Sequence, residues 1–163
     1  MAATAATLAR AIGLSEELVQ QVRQAAPLHD VGKIGIPDAV LLKPGRLTPE
    51  EFEVIKVHTT IGALMLGNGR SAVIRMAEAV ALGHHEWWNG GGYPGGLGGE
   101  AIPLPARIVS LADVFDALTH VRPYRPAWSV KDTLEEIRRL RSTQFDPRLA
   151  EAFLGIENHE GLC

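Results

Sequence analysis

Apolar positions along this chain recur at three- and four-residue spacing, the period of helices. In three places a histidine stands in the stripe where an aliphatic residue is expected. Residues 2–12 read as an alanine-rich helix stopped by Gly13, and Ser15-Glu16-Glu17-Leu18 as the capped start of a second. In that second helix Leu18, Val22, Ala25 and His29 share one face, and Pro27 is placed to kink it. A connecting stretch runs from Ile34 to Gly45 and contains Pro37 and Pro44. Thr48 and Pro49 open a third helix, which lines up Phe52, Ile55, His58 or Thr59, Gly62 and Leu66 along one side. In a fourth helix, opened by Ser71, the shared face is Ile74, Ala77, Ala81 and His84. Pro103 to His120 is a fifth, with Ile108, Leu111, Ala112, Phe115 and Leu118 as core. Val109, Asp113, Asp116 and His120 form its neighbouring stripe. Segments 129–141 and 146–154 complete the pattern. Neither strand alternation nor an internal repeat is evident, so the expected fold is an all-α bundle of about seven helices. Between Gly83 and Gly99 lie eight of the 17 glycines, a long loop of the kind that carries function.

Composition narrows the classes. A chain of 163 residues is one domain, residues 1–163, by size and can bury a substantial core. Hydrophobic residues at 46% and charged residues at 21% are ordinary for a soluble globular protein. A net charge of −3 argues against a binder of nucleic acid polymers. Phosphate recognition would then depend on a few placed cations or metals. The single cysteine, Cys163, rules out an internal disulfide and suits a cytoplasmic protein. No apolar run reaches the length of a membrane span, and the first residues lack the basic region of a signal peptide.

Four of the six histidines fall in one set: His29 beside Asp30, His58, and the pair His84-His85. With Asp113 on a later helix, these are imidazoles and carboxylates on core-facing positions, each costly to bury without a partner. A shared metal site satisfies them together. Neighbours on a regular helix point about 100° apart, so two adjacent-ligand pairs suggest more than one ion, with Asp30 as the natural bridge. The donors suit iron, manganese or zinc, and two such ions can activate water against a phosphodiester. Lys33, one turn past His29, can reach a phosphate held there, and Arg122 and Arg125 can clamp a second. Tyr93 and Pro94 supply a rigid aromatic wall in the glycine-rich loop. Of Trp87 and Trp88, one is expected in the core and the other free to stack on a base.

These motifs together resemble the HD-GYP family, the metal-dependent phosphodiesterases that degrade cyclic di-GMP in bacteria. His-Asp-x-Gly-Lys-Ile-Gly-Ile-Pro, His-His-Glu, Gly-Tyr-Pro-x-Gly-Leu, Ala-Asp-Val-Phe-Asp-Ala-Leu and Arg-Pro-Tyr all occur, from Leu28 to Tyr124. The resemblance implies an all-α bundle of the HD superfamily and a cluster of two or three metals, usually iron or manganese. Their ligands would be His29, Asp30, His58, His84, His85 and Asp113, with Asp30 bridging and Asp116 close to a third ion. It implies that Lys33 and Arg122 contact the phosphates of cyclic di-GMP, which is opened to pGpG and often on to GMP. It also implies a sensory or receiver domain in a longer parent protein. The family takes a further histidine, and in three-metal members a glutamate, from the helix before His29; residues 1–12 contain neither. The chain is therefore expected to begin just after those ligands. Trp87 and Gly95 stand where arginine is frequent, Asn89 where aspartate is usual, and Gly91 where serine is common. Two other functions compete: a catalytically weak signalling module that docks diguanylate cyclase domains, and an HD phosphohydrolase acting on another nucleotide. The Gly-Tyr-Pro loop disfavours the latter, and only the missing amino-terminal ligand favours the former.

Overall fold

Helix α7 (Leu104–Thr119) packs against several of the other helices, because its apolar residues run almost all the way round. The computed structural model describes residues 1–121, 126–156 and 159–162. In chain order the other α-helices are α1 (Ala2–Ala11), α2 (Glu16–Ala25), α3 (Asp38–Leu41), α4 (Pro49–Lys56), α5 (His58–Leu66), α6 (Ala72–Gly83), α8 (Val130–Leu140) and α9 (Pro147–Leu154). Two 3₁₀ turns, Ala26–Leu28 and Val31–Gly35, join α2 to α3. Among the described residues there is no strand, only two isolated bridges, so the all-α bundle holds.

Small side chains let α1 lie close on α7 and α2: Ala5, Ala6 and Ala9 are buried there with Leu8. Phe115 of α7 meets Phe153 of α9 edge to face at 5.1 Å between centroids. Arg107 and the almost fully buried Asp146 pair at 2.6 Å, tying α7 to the start of α9. Helix starts follow the expected caps. Ser15, Ser71 and Ser129 each accept a backbone N–H, and Thr48 forms a reciprocal box with Glu51. No helix among the described residues is long and apolar enough to cross a membrane.

Two expectations change. Leu18 is 39% exposed and its neighbour Val19 is buried in its place, while Val22 and Ala25 of the expected stripe stay in the core. The third helix is not continuous. It breaks at Val57 into α4 and α5, and Phe52 faces outward at 44% exposure. The break lets α5 turn into the core with His58 as its first residue.

What fixes α5 against the second 3₁₀ turn is a contact with no room for a side chain. A Cβ on Gly32 would stand 2.0 Å from the His58 carbonyl oxygen and 2.4 Å from the Gly62 nitrogen. Gly62 in turn lies against Ala81 of α6. Gly32→Ala should therefore force the turn away from α5 and destabilise the protein by about 1–3 kcal/mol or more, as overpacking does. Thermal melting of the variant checks this; a parent-like melting temperature would mean the turn can move aside freely.

Candidate metal centre

Asp113 sits inside a helix, but the other five expected ligands sit where helices end. His29 and Asp30 occupy the turn between the two 3₁₀ segments, where Pro27 has already interrupted the α-helical ladder. His58 starts α5, His84 caps α6, and His85 follows it. This corrects the expectation that each histidine lies within a helix. It also removes the argument from spacing for several ions. Off the regular helix, both members of a pair can turn inward, and the His84 and His85 rings lie 4.1 Å apart. One ligand atom each from Asp30, His58, His84 and His85 falls within 4.8 Å of the others.

The protons decide what this cluster can hold. The Nδ1 of His58 bonds to the Ile55 carbonyl at 2.7 Å, and that of His84 to the Val80 carbonyl at 3.0 Å. Carbonyls only accept, so each Nδ1 carries the hydrogen. Burial pushes both rings toward the neutral form, His84 down to about 3 with help from the neighbouring His85. Each Nε2 is then a bare lone pair, and the two face each other at 3.4 Å. Asp30 Oδ1 lies 3.4 Å from one and 3.8 Å from the other, buried and with no hydrogen bond. Burial and the adjacent His58 also push His85 down, to about 4. Three acceptors converge without a donor. A cation fits there, and nitrogen and oxygen ligands without thiolate suit a divalent metal.

The second oxygen of Asp30 faces the other way. Oδ2 is 3.3 Å from His29 Nε2 and 2.5 Å from Lys33 Nζ. His29 Nε2 is also 3.6 Å from Asp113 Oδ1, while its Nδ1 bonds to the Ala26 carbonyl. Burial opposes charge on His29, but bonds to Asp113 and Asp30 outweigh it and push the ring up to about 10. Burial likewise works against the Asp30 carboxylate, yet His29 and Lys33 hold it far below the usual range. One carboxylate thus faces two donor groups: imidazoles 58, 84 and 85 on one side, His29 and Asp113 on the other.

Lys33 and Tyr93 join this cluster. Tyr93 stacks on His85 at 4.7 Å with planes 24° apart, and Pro94 follows on the exposed side. Asp116 does not join; it accepts from the Met1 amino group at 2.5 Å, one turn along α7 from Asp113. Arg122 and Arg125 lie outside the described residues. Trp87 is 38% exposed, whereas Trp88 is covered by Arg107. A residue the pattern left without a role is Glu86. It is buried, and its two oxygens accept from the Gly95 and Leu97 amides at 2.6 and 2.9 Å. Gly92 lies so close to the backbone of residues 85–87 that a Cβ would stand 2.4 Å from the His85 carbonyl oxygen. The signal available in the sequence was an acid placed directly between two ligands and a glycine-rich loop.

The sequence model of the HD domain family matches residues 1–149. The chain is 49% identical over 164 residues to the cyclic di-GMP phosphodiesterase response regulator RpfG of Xanthomonas campestris pv. campestris, covering 100% of this chain and 43% of that protein. With a cyclic di-GMP phosphodiesterase of Thermotoga maritima it shares 47% over 150 residues, 92% of this chain and 41% of the other. A 3′3′-cGAMP-specific phosphodiesterase 2 of Vibrio cholerae is 40% identical over 147 residues, 90% of this chain and 28% of the relative. The crystal structure of a cyclic GMP-AMP-specific phosphodiesterase of Vibrio cholerae superposes with a TM-score of 0.66 at 23% identity, over 92% of this chain and 41% of that one, a likeness of fold. The chain spans less than half the length of these relatives.

Asp30→Ala should abolish binding of divalent metal, because it deletes the group that faces both sets of side chains. Metal content by mass spectrometry reads this; retention of the parental stoichiometry would show that the carboxylate is not a ligand. Glu86→Ala should leave metal content near the parent while speeding hydrogen exchange at the Gly95 and Leu97 amides. Each of those charge-assisted bonds is worth about 1.5–3 kcal/mol. Unchanged exchange would mean that the loop is held from elsewhere.

Proposed function

The chain belongs to the HD domain family, and from that premise we propose that it is a metal-dependent phosphodiesterase that hydrolyses cyclic di-GMP to pGpG, GMP or both. The observation that carries the reading is the meeting of His58 Nε2, His84 Nε2 and Asp30 Oδ1, three acceptors with no proton among them. Two ions bridged by Asp30, iron or manganese, are the reading that the opposed oxygens of this carboxylate support. His58, His84 and His85 would hold one, and His29 and Asp113 the other. Bound there, divalent ions supply Lewis acidity for the phosphoryl group and a water nucleophile at neutral pH.

The chain's own groups prepare the rest. Carbonyl bonds to Nδ1 of His29, His58 and His84 aim each Nε2 before any ligand arrives. Lys33 brings a positive charge within reach of the same carboxylate, where it can neutralise a phosphate oxygen as charge builds during attack. Tyr93 covers His85 and keeps bulk water off that face of the cluster. Arg122 and Arg125 are proposed as contacts to the second phosphate, and the unit would act in the cytoplasm under a sensory or receiver domain. A second cyclic dinucleotide is favoured by a specific finding, the 40% identity to a protein named for 3′3′-cGAMP. The relatives at 47–49% are named for cyclic di-GMP.

Protein purified without oxygen and assayed for metal content and for products from cyclic di-GMP tests the reading. Lys33→Ala should lower turnover by about ten- to hundredfold, the worth of a charge-assisted bond of roughly 1.5–3 kcal/mol. Metal content and melting temperature should stay near the parent. Loss of the metals together with the activity would make Lys33 part of the fold or of the metal site instead.

A further inference from the structure

The ring of Tyr93 that stacks on His85 also lines a separate recess of about 190 Å³. Its other walls are Glu53, Lys56, Val57, Thr60 and Pro94. None of these four α4–α5 residues belongs to the cluster described above. Tyr93, Pro94 and Val57 make flat and apolar walls, and Phe52 braces Tyr93 edge to face at 6.2 Å. The polar corner is an ion pair. Lys56 Nζ donates to Glu53 Oε1 at 2.5 Å and is held 5.1 Å from the Phe52 centroid and 5.5 Å from that of Tyr93.

An ammonium that lies over an aromatic wall beside a carboxylate, and can swing to the edge of a base seated there, is selective about its ligand. A bare phosphate would meet the Glu53 carboxylate as well as the ammonium and is disfavoured. A purine stacks on Tyr93 whatever its identity, because every base has a π-face. Its edge then decides. Guanine carries the acceptor O6 next to the donors N1–H and N2–H₂, which match an ammonium next to a carboxylate. Adenine places its N6–H₂ donor where guanine has O6, and an unprotonated N1 beside it, so both partners are mismatched. We infer that this recess is a guanine subsite, in which one base of the substrate stacks on Tyr93 while Lys56 reads O6 and Glu53 reads N1–H and N2–H₂. Tyr93 is the shared wall, so the base it seats stands one ring away from the proposed metal ligand His85. The inference rests on the cyclic dinucleotide reading and adds to it the group that tells guanine from adenine.

Calorimetric titration of the metal-loaded protein with GMP and with AMP tests it, since the two share their phosphate and differ only in the base. The parent should bind GMP about tenfold more tightly than AMP, a difference of 1.4 kcal/mol. Glu53→Gln should erase that preference and leave AMP binding unchanged, and Lys56→Met should weaken GMP alone. Equal affinity of the parent for both nucleotides overturns the inference, as does a Glu53→Gln variant that loses both ligands alike. Turnover of cyclic di-GMP and 3′3′-cGAMP by the same preparations reports separately on the proposed reaction. A parent that prefers GMP yet cleaves neither dinucleotide sinks the substrate and keeps the subsite. Cleavage of cyclic di-GMP with no preference between GMP and AMP does the reverse.

Discussion

Two imidazole nitrogens and a carboxylate oxygen meet in the interior with their lone pairs turned on one another, and much of the surrounding structure exists to keep them so. Left alone, such groups would rotate away or take up protons. Rotation is blocked because His58 and His84 are tied through Nδ1 to carbonyls of their own helical turns. Protonation is opposed by burial, which leaves these two rings almost no contact with water. The carboxylate is brought in by a turn whose Gly32 lies directly on the backbone of α5. A side chain at that glycine would hold Asp30 and His58 apart, so the close backbone approach and the electrostatic confrontation are one constraint.

The same economy of distance governs the loop. His85 points into the cluster, and the next residue, Glu86, turns its carboxylate to the amides of Gly95 and Leu97. Tyr93, between those anchors and the ligand, donates its own amide to the His85 carbonyl. The wall over the cluster is thus fastened to the chain that forms the cluster, and a shift in one carries the other with it.

Much of this was legible in the residues. His29, His58 and His84 stood out because each took an aliphatic place in a stripe, and they converge with Asp30, His85 and Asp113. Caps at Ser15, Thr48, Ser71 and Ser129 were readable because capping is a local matter. What periodicity misplaced was the path of the backbone at the ligands. A stripe assumes an unbroken helix, whereas Val57 and the turn after Pro27 break it where the ligands are needed. Val19 took the place of Leu18 in the core while Val22 and Ala25 kept theirs, because what packs opposite the first turn decides which of two apolar neighbours is covered. Glu86 gave no periodic signal, because its partners are the backbone amides of Gly95 and Leu97, further along the chain. Asp116 belonged to the right stripe yet is engaged by the Met1 amino group, a contact no local pattern encodes.

Each pinned histidine is anchored three or four residues upstream: His29 at Ala26, His58 at Ile55, His84 at Val80 and Ala81. The aim of these three imidazoles is therefore a property of their own short peptides. Replacing one histidine disturbs a single turn and leaves its companions already pointed. A site assembled from such independently sighted pieces can drift in sequence one position at a time, exchanging a donor or its preferred ion, without the helices having to be repacked at each step.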